Sequence, residues 1–391
     1  MKNIWRRIIH REWAFIFERK KNFGFFMLAY PFVIMGLILA IFSGKVLDQI
    51  PVGVVDNSSG YYSRELMRTL KSNRFLSPRP FATVAAARKA LDQGRIYGVV
   101  SIDESYDKDL LKNSGASINA WINNEFLLVG GNLTKGLNSV VGALQAKYQR
   151  RTLAALGVPA SMGDSFASPV QVSENILYNP GMNYIYFLGL GLLPAVLQIF
   201  ICISVSYALL WDIKTYRARR LRRVFEEHPY AACAARITFY SVGYFAVFVI
   251  MLTGIIALFQ VPVEGSLFRV MCGGIAFIFM TACAGLLFAG FTNNLRFCLS
   301  ICAIYAAPAF AFYGVSFPVQ SMPILARAWA EFLPGTHLNR IFVNELLRGV
   351  NAAGTWQDIL FMTAVGAVCF VLGAKGYSRW VKQDKYLGPK L

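Results

Sequence analysis

The stretch 211–236, WDIKTYRARRLRRVFEEHPYAACAAR, decides how this chain folds, because it places a dense basic run between two apolar segments. It contains seven Lys and Arg residues. Residues 184–210 before it and residues 237–259 after it contain no Asp, Glu, Lys or Arg. A helix needs about 20 consecutive apolar residues to cross a bilayer. The stretch is therefore predicted to be a basic loop between two transmembrane helices.

The whole chain has the composition of a membrane protein. Only 15% of its 391 residues are charged, whereas a soluble domain has about 25%. Four further segments also have apolar cores without a charged residue. The predicted fold class is an integral membrane α-helical protein with six transmembrane helices, at residues 23–43, 184–210, 237–259, 270–290, 298–317 and 359–374.

The distribution of Lys and Arg predicts the orientation of these helices, since cytoplasmic loops carry an excess of both. Residues 1–22 hold seven, the loop 211–236 holds seven and the tail from Lys375 holds five. On the other side, residues 260–267 hold none and residues 318–358 hold three. Both termini are therefore predicted to be cytoplasmic, with the basic loop near anionic lipid headgroups. This distribution explains the net charge of +18 without a nucleic-acid partner.

Two segments outside the membrane helices have patterns of their own. Residues 1–22 are amphipathic and are predicted to form an N-terminal cytoplasmic helix lying in the membrane interface. Residues 44–183 alternate short apolar strands with helical stretches, which predicts an inserted extracytoplasmic α/β domain. Its Pro-, Ser- and Gly-rich end is predicted to be a linker into the second transmembrane helix.

The segment 318–350 is neither long enough nor apolar enough to cross the membrane twice. Two pieces of it, ILARAWAEFL and HLNRIFVNELLRG, have helical spacing but carry charges. We therefore expect short re-entrant or interfacial helices that cap the bundle. We refer to residues 318–350 as the re-entrant segment.

The basic loop has an apolar stripe, because Leu221, Val224, Phe225 and His228 recur at helical spacing. One interpretation is a short helix that docks in a groove of a cytoplasmic partner. The other is a loop that is simply anchored at the headgroups. The basic residues around the stripe are Arg219, Arg220, Arg222 and Arg223.

The sequence contains no motif for nucleotide hydrolysis or hydrolytic catalysis. It has no GxxxxGK[ST], no G-x-S-x-G and no H-E-x-x-H, and its three histidines are far apart. The apolar cores also lack the ionisable groups that ion-coupled carriers generally need. We therefore expect no cofactor in this chain, and a transporter of this composition would take its energy from a partner on the cytoplasmic side.

Over nearly its whole length, the chain resembles the ABC-2 type exporter permeases. The stretches PVGVVDNSSGYYSREL and ALDQGRIYGVVSIDESYDKDLLKN are typical of the subgroup with a large extracytoplasmic domain between its first two spans. The most specific resemblance lies in the re-entrant segment. The residues that carry it there are Phe317, Pro318, Met322, Pro323, Pro334, Thr336, His337, Arg348 and Gly349.

The resemblance also implies that the loop 211–236 is the coupling loop that meets an ATPase. Its end resembles the family pattern at His228, Pro229 and Arg236. Just upstream, YRARR at residues 216–220 stands where the family usually has glycine and acidic residues. That departure favours pairing with a second, more typical permease.

By resemblance, the chain is the permease subunit of an exporter in a bacterial inner membrane. The implied partners are an ABC ATPase that binds ATP and Mg, a second permease copy or paralogue, and a membrane-fusion (periplasmic adaptor) protein. The uncharged, aromatic-rich spans suit a hydrophobic or amphipathic substrate. The alternative function is a membrane-anchored scaffold or receptor whose extracytoplasmic domain binds a partner without transport.

Overall fold

Two separate units make up the chain in a computed structural model. One unit combines Met1–Lys45 with Ile176–Leu391, and the other is Val46–Asn175. We call them the transmembrane unit and the inserted domain. The structure describes residues 2–17, 23–41, 48–112, 116–125, 127–156, 178–179, 183–215, 217–349 and 352–383.

Six helices of the transmembrane unit are long and apolar enough to cross a membrane, as the sequence predicted. Most of the side chains in the most apolar parts of the second and fourth helices are buried, whereas only a minority of those in the first and fifth are buried. The second and fourth therefore form the centre of the unit. In chain order, spans 1 to 6 are Phe23–Ile41, Ile185–Lys214, Pro229–Phe259, Leu267–Phe291, Leu295–Phe312 and Ala352–Lys382.

The observed boundaries differ most where a charge lies inside a helix. Span 3 begins at Pro229, whose ring suits the first turn of a helix, so Arg236 lies within the helix rather than before it. Span 6 runs to Lys382. Basic residues lie in its last turn, where their positive charge interacts favourably with the helix dipole. Span 5 is interrupted at Ala307 and Pro308 and ends at Phe312. Counting only charge-free residues therefore shortened the predicted third and sixth helices.

The N-terminal helix α1 is Lys2–Ile16. Its inner side buries Ile8 and Phe15 among the residues of the spans. Two further aromatic residues lie on the opposite side, where Trp13 is 60% exposed and Phe17 is 57% exposed. The helix thus has one apolar side against the protein and a second that faces outward.

The inserted domain is a four-stranded sheet with helices on both faces. Its strands are β1 (Ile50–Asp56), β2 (Leu76–Pro80), β3 (Gly98–Ile102) and β4 (Ile118–Ile122), in the order β2-β1-β3-β4. Only β4 is antiparallel to its neighbour. Its helices are α2 (Tyr61–Ser72), α3 (Val84–Asp92), α4 (Tyr106–Leu111) and α5 (Leu127–Ala155).

Strand β2 has no counterpart among the predicted strands, because its sequence LSPRP contains two prolines. Proline removes a backbone donor and is tolerated on edge strands. The strand lies at the edge of the sheet, which explains how it accommodates both. The core on one face includes Val52, Leu66 and Leu133, and the core on the other includes Ala87 and Val99.

Three more short helices belong to the transmembrane unit. Helix α6 (Arg222–Glu227) follows a 3₁₀ turn in the coupling loop. Helices α7 (Ile324–Phe332) and α8 (Pro334–Phe342) lie in the re-entrant segment and are followed by a π-helical turn, Val343–Arg348.

Spans 4 and 6 pack at backbone distance through glycines. A Cβ atom placed on Gly373 would lie 2.7 Å from the backbone nitrogen of Leu287. One placed on Gly376 would lie 2.5 Å from the carbonyl oxygen of Gly290. Small residues permit this close approach between membrane helices, where van der Waals packing drives association.

We expect the Gly373→Val variant to lose about 1–3 kcal/mol of stability or more, because the new methyl groups would press on the backbone of span 4. Tryptophan fluorescence during thermal unfolding of the detergent-solubilised chain would measure this loss. The matched control is Gly254→Val in span 3, where a Cβ atom meets nothing within 4 Å. Equal destabilisation by both substitutions would contradict the close-packing interpretation.

Candidate functional site

The apolar stripe of the coupling loop is turned into the chain's own core. Leu221 is 2% exposed, Val224 is 8% exposed and Phe225 is fully buried. The ring of Phe225 lies edge-on to Tyr377 of span 6, with ring centroids 5.6 Å apart. In this structure these three side chains therefore pack against the chain's own core, and the docking of the loop on a partner stays a prediction. Helical periodicity reveals an apolar face but does not say which surface covers it.

The outward side of the loop is charged instead. Arg219, Arg223, Glu227 and His228 are exposed. Arg222 is half-buried and pairs with Glu226 one turn later at 2.9 Å. The side chain of Arg220 lies outside the described residues, and Pro229 is the first residue of span 3.

Arg236 lies at the centre of a buried ionic network rather than on the loop surface. It is 1% exposed. Its Nε lies 2.9 Å from Oε1 of Glu12, and its Nη2 lies 2.9 Å from Oδ2 of Asp212. It also donates hydrogen bonds to the hydroxyl of Tyr377 at 3.0 Å and to the carbonyl of Ala208 at 3.1 Å. Arg236, which the family resemblance placed at the end of the coupling loop, is therefore a buried residue of the bundle in this structure.

Two further side chains complete this network. Arg11 forms a second ion pair with Asp212. The hydroxyl of Tyr240 donates to Oε2 of Glu12 at 2.7 Å. Burial raises the pKa of the Glu12 carboxyl, and the charge of Arg236 opposes that rise. The network joins α1 to spans 2, 3 and 6 at the end of the bundle that carries the coupling loop.

The sequence reading missed this network because its acids and bases are far apart in the chain. Glu12, Asp212 and Arg236 each looked like an ordinary charged residue flanking an apolar segment. The available signal was that Asp212 follows an uncharged segment directly and Arg236 directly precedes another. Among the described residues, no group of three or more His, Cys, Asp or Glu side chains is arranged to hold a metal ion.

The re-entrant segment holds a second polar cluster around His337. This side chain is 2% exposed. Its Nδ1 lies 2.6 Å from Oδ1 of Asp358, and its Nε2 lies 2.9 Å from the carbonyl oxygen of Glu331. Arg340 bridges the two acids, at 3.2 Å from Asp358 and 2.5 Å from Glu331. The cluster fastens α7 and α8 to the beginning of span 6.

Glu345 of the π-helical turn forms a third buried contact. Its carboxylate accepts a two-pronged ion pair from Arg269 of span 4, with both N–O distances 2.7 Å. It also accepts from the Thr355 hydroxyl at 2.8 Å and the Ser266 backbone at 2.9 Å. Burial alone would raise the pKa of Glu345, but these donors outweigh it and lower the pKa. Glu345 was not among the residues singled out by sequence.

Most of the other motif residues of the re-entrant segment determine where its helices begin and end. Pro323 precedes α7, and Pro334 begins α8, both positions where proline is favoured. Gly349 ends the π-helical turn with φ of 67°, the left-handed region that favours glycine. Met322 and Thr336 are buried, whereas Phe317 is exposed.

An open cavity of about 740 Å³ lies beside this segment. Three of the predicted motif residues line it, namely Pro318, His337 and Arg348. Arg327 and Arg340 line it as well, so this cavity has charged side chains beside its apolar ones. The structure therefore brings only these three of the predicted motif residues together around one cavity.

Comparison with known families gives a match over most of the chain. The model described as "ABC-2 family transporter protein" matches residues 21–375. The chain belongs to the ABC-2 transporter family. As an ABC-2 protein it is a membrane permease component of an ABC transporter and not itself the catalytic component. A comparison with curated proteins found no significant match.

The matched region includes spans 1 to 5, most of span 6, the coupling loop and the re-entrant segment of this ABC-2 protein. It begins after helix α1, which contributes Glu12 to the ionic network. The network is therefore built partly from the matched region and partly from the segment before it.

We expect Arg236→Met to destabilise the chain by about 3–5 kcal/mol, because Glu12 and Asp212 would remain buried without their shared cation. Thermal unfolding in detergent would measure the loss, and Arg223→Met on the exposed side of the loop is the control. Adding Glu12→Gln and Asp212→Asn to Arg236→Met is expected to recover part of the stability. A triple variant that is no more stable than Arg236→Met would contradict the ionic explanation.

Proposed function

We propose that this chain is the permease subunit of an ABC exporter that uses a separate ATPase subunit. The observation that carries the proposal is the way the coupling loop is attached. Its outward side is charged, while its inner side is joined to span 6 by Phe225 and to the bundle by the adjoining Arg236 network. A force on the outward side would therefore be transmitted to several spans together.

The partner that would exert this force is an ATPase carrying ATP and Mg on the cytoplasmic side. The excess of Lys and Arg near both termini and in the coupling loop supports this orientation. The ATPase would contact the exposed charges of α6, such as Arg223 and Glu227, rather than the buried stripe. Nucleotide binding would drive transport only through contacts that differ between the two conformations of the permease.

The remaining parts of the assembly follow from the same orientation. The inserted domain would lie outside the cytoplasm, in reach of a membrane-fusion adaptor. The exposed apolar sides of spans 1 and 5 are suited to a second permease copy or to lipid. Trp13 and Phe17 on the outward side of α1 are suited to the membrane interface, because aromatic rings are favoured there.

The cargo in this proposal is a hydrophobic or amphipathic molecule moved outward across a bacterial inner membrane. The apolar composition of the spans supports that class of cargo. In the part of the spans that the structure describes, the ionic network of Arg236 lies at one end and that of Glu345 beside the other. Both sets of charges are paired, which favours energy supply by a partner over an ion gradient.

We expect a charge swap on α6, Arg223→Glu with Glu227→Arg, to lower recovery of the ATPase at least tenfold. The swap keeps the net charge and changes two exposed side chains, so the fold is expected to stay intact. The measurement is a detergent pull-down of the tagged chain from its own cells under nucleotide-trapping conditions, with mass spectrometry of the retained proteins.

The control variant is Arg296→Glu, which changes another exposed basic residue, in the first turn of span 5. It is expected to retain the ATPase. If the unaltered chain retains only partners of the inserted domain and no ATPase, the scaffold or receptor function replaces the exporter. An ATPase that binds the swapped chain normally would place the contact elsewhere.

A further inference from the structure

Two cavities follow one another along a single side of span 6. The polar cavity of about 740 Å³ is lined by Asp358 and Phe361 near the start of this helix. A second cavity of about 270 Å³ is lined by Val365 and Cys369. These four residues are spaced by three or four positions, so they lie on one side of the helix. The walls of the first cavity are polar and apolar in similar measure, whereas those of the second are almost entirely apolar. We call them the polar cavity and the apolar cavity.

Helix α7 borders both cavities with alternate side chains. Its Arg327 and Glu331 line the polar cavity, while its Trp329 and Phe332 line the apolar one. The ring of Phe361 lies against His337, with ring centroids 4.7 Å apart. Phe361 therefore stands where the polar lining gives way to the apolar one.

The polar cavity has more cationic side chains than carboxylates. Arg340 is occupied by Glu331 and Asp358. Arg327 donates to the carbonyl of Gln320, and Arg348 lies over the ring of Tyr178 at 5.5 Å. Within the described residues, neither Arg327 nor Arg348 has a carboxylate partner, and both are exposed. Such guanidinium groups are suited to phosphate or carboxylate oxygens.

The apolar cavity opens on a surface that suits hydrocarbon rather than water. Phe332 is 58% exposed and Ile304 is 72% exposed beside it. At the start of α7, Ile324 and Leu325 are more than four-fifths exposed. A contiguous exposed apolar surface of this kind marks contact with lipid or another apolar partner.

The length of the apolar part fits one acyl chain. Eight residues separate Phe361 from Cys369, which corresponds to about 12 Å along a helix. Half of the hydrocarbon core of a bilayer is about 15 Å thick. The cavity therefore spans most of one leaflet, beginning at the polar end where a headgroup would lie.

We propose that the two cavities form one binding site for an anionic lipid. Its phosphate or carboxylate headgroup lies in the cavity that Arg327 and Arg348 line. One acyl chain lies along Val365, against Trp329 and Phe332. This site is at the re-entrant segment, at the opposite end of the spans from the basic coupling loop. It concerns lipid binding by this chain alone and does not depend on an ATPase partner.

The fluorescence of Trp329 offers a direct test of lipid binding, because bromine on an acyl chain quenches the fluorescence of a nearby indole ring. The full chain is titrated in detergent micelles with acyl-brominated phosphatidylglycerol or acyl-brominated phosphatidylcholine. Subtracting the signal of Trp329→Phe isolates the contribution of Trp329. We expect half-maximal quenching at a mole fraction of phosphatidylglycerol at least threefold lower than that of phosphatidylcholine.

Matched variants test the two halves of the site. Arg327→Gln with Arg348→Gln is expected to abolish the preference for phosphatidylglycerol, whereas Arg296→Gln at the other end of the spans is expected to preserve it. Val365→Phe is expected to raise the half-maximal mole fraction at least threefold by filling the apolar cavity. Equal quenching of the unaltered chain by both lipids would overturn the proposal.

A soluble competitor separates a lipid from a small anion. Glycerol phosphate at millimolar concentration is expected to leave the quenching unchanged, because it lacks an acyl chain. If it displaces the brominated phosphatidylglycerol, the polar cavity is a soluble-anion site and the proposal is wrong. The assay contains no ATPase, so its result is independent of the test of ATPase recovery.

Discussion

A buried guanidinium, that of Arg236, is the constraint on which one end of this bundle depends. A charge that is almost fully removed from solvent must be paired and hydrogen-bonded, since an isolated buried ion is strongly destabilising. Glu12 and Asp212 supply the charge, and Tyr377 and a backbone carbonyl supply the remaining contacts. These partners come from α1 and from spans 2 and 6. The position of α1 is therefore tied to the packing of three spans.

At the other end of the bundle, the buried carboxylate of Glu345 holds several helices together in the same way. Its contacts with Arg269 and Thr355 join the π-helical turn to spans 4 and 6. Between the two ends, spans 4 and 6 meet through Gly373 and its neighbours at backbone distance. Span 6 contributes to each of these three sets of contacts, through Tyr377, Thr355 and Gly373. It also receives Phe225 from the coupling loop and lines both cavities at the re-entrant segment.

This arrangement suggests how the two ends of an ABC permease communicate. The coupling loop does not rest loosely on the bundle, because its apolar side chains are part of the core. A displacement of α6 would move Tyr377 and the ionic network with it. From Tyr377, span 6 leads back about 20 residues to Asp358 and the His337 cluster. Rigid packing along one helix thus connects the proposed ATPase contact with the proposed lipid site.

The sequence by itself determined the elements that depend on local pattern. Charge-free runs predicted the six spans, helical periodicity predicted α1 and α6, and short apolar runs predicted strands in the inserted domain. It did not predict β2, because Pro78 and Pro80 are acceptable only at an edge, and edges are a property of the assembled sheet. Nor did it predict the partners of Arg236 or the burial of Phe225. Periodicity specifies that a helix has an apolar face, but only the tertiary structure decides what covers that face, because the covering residues come from distant parts of the chain.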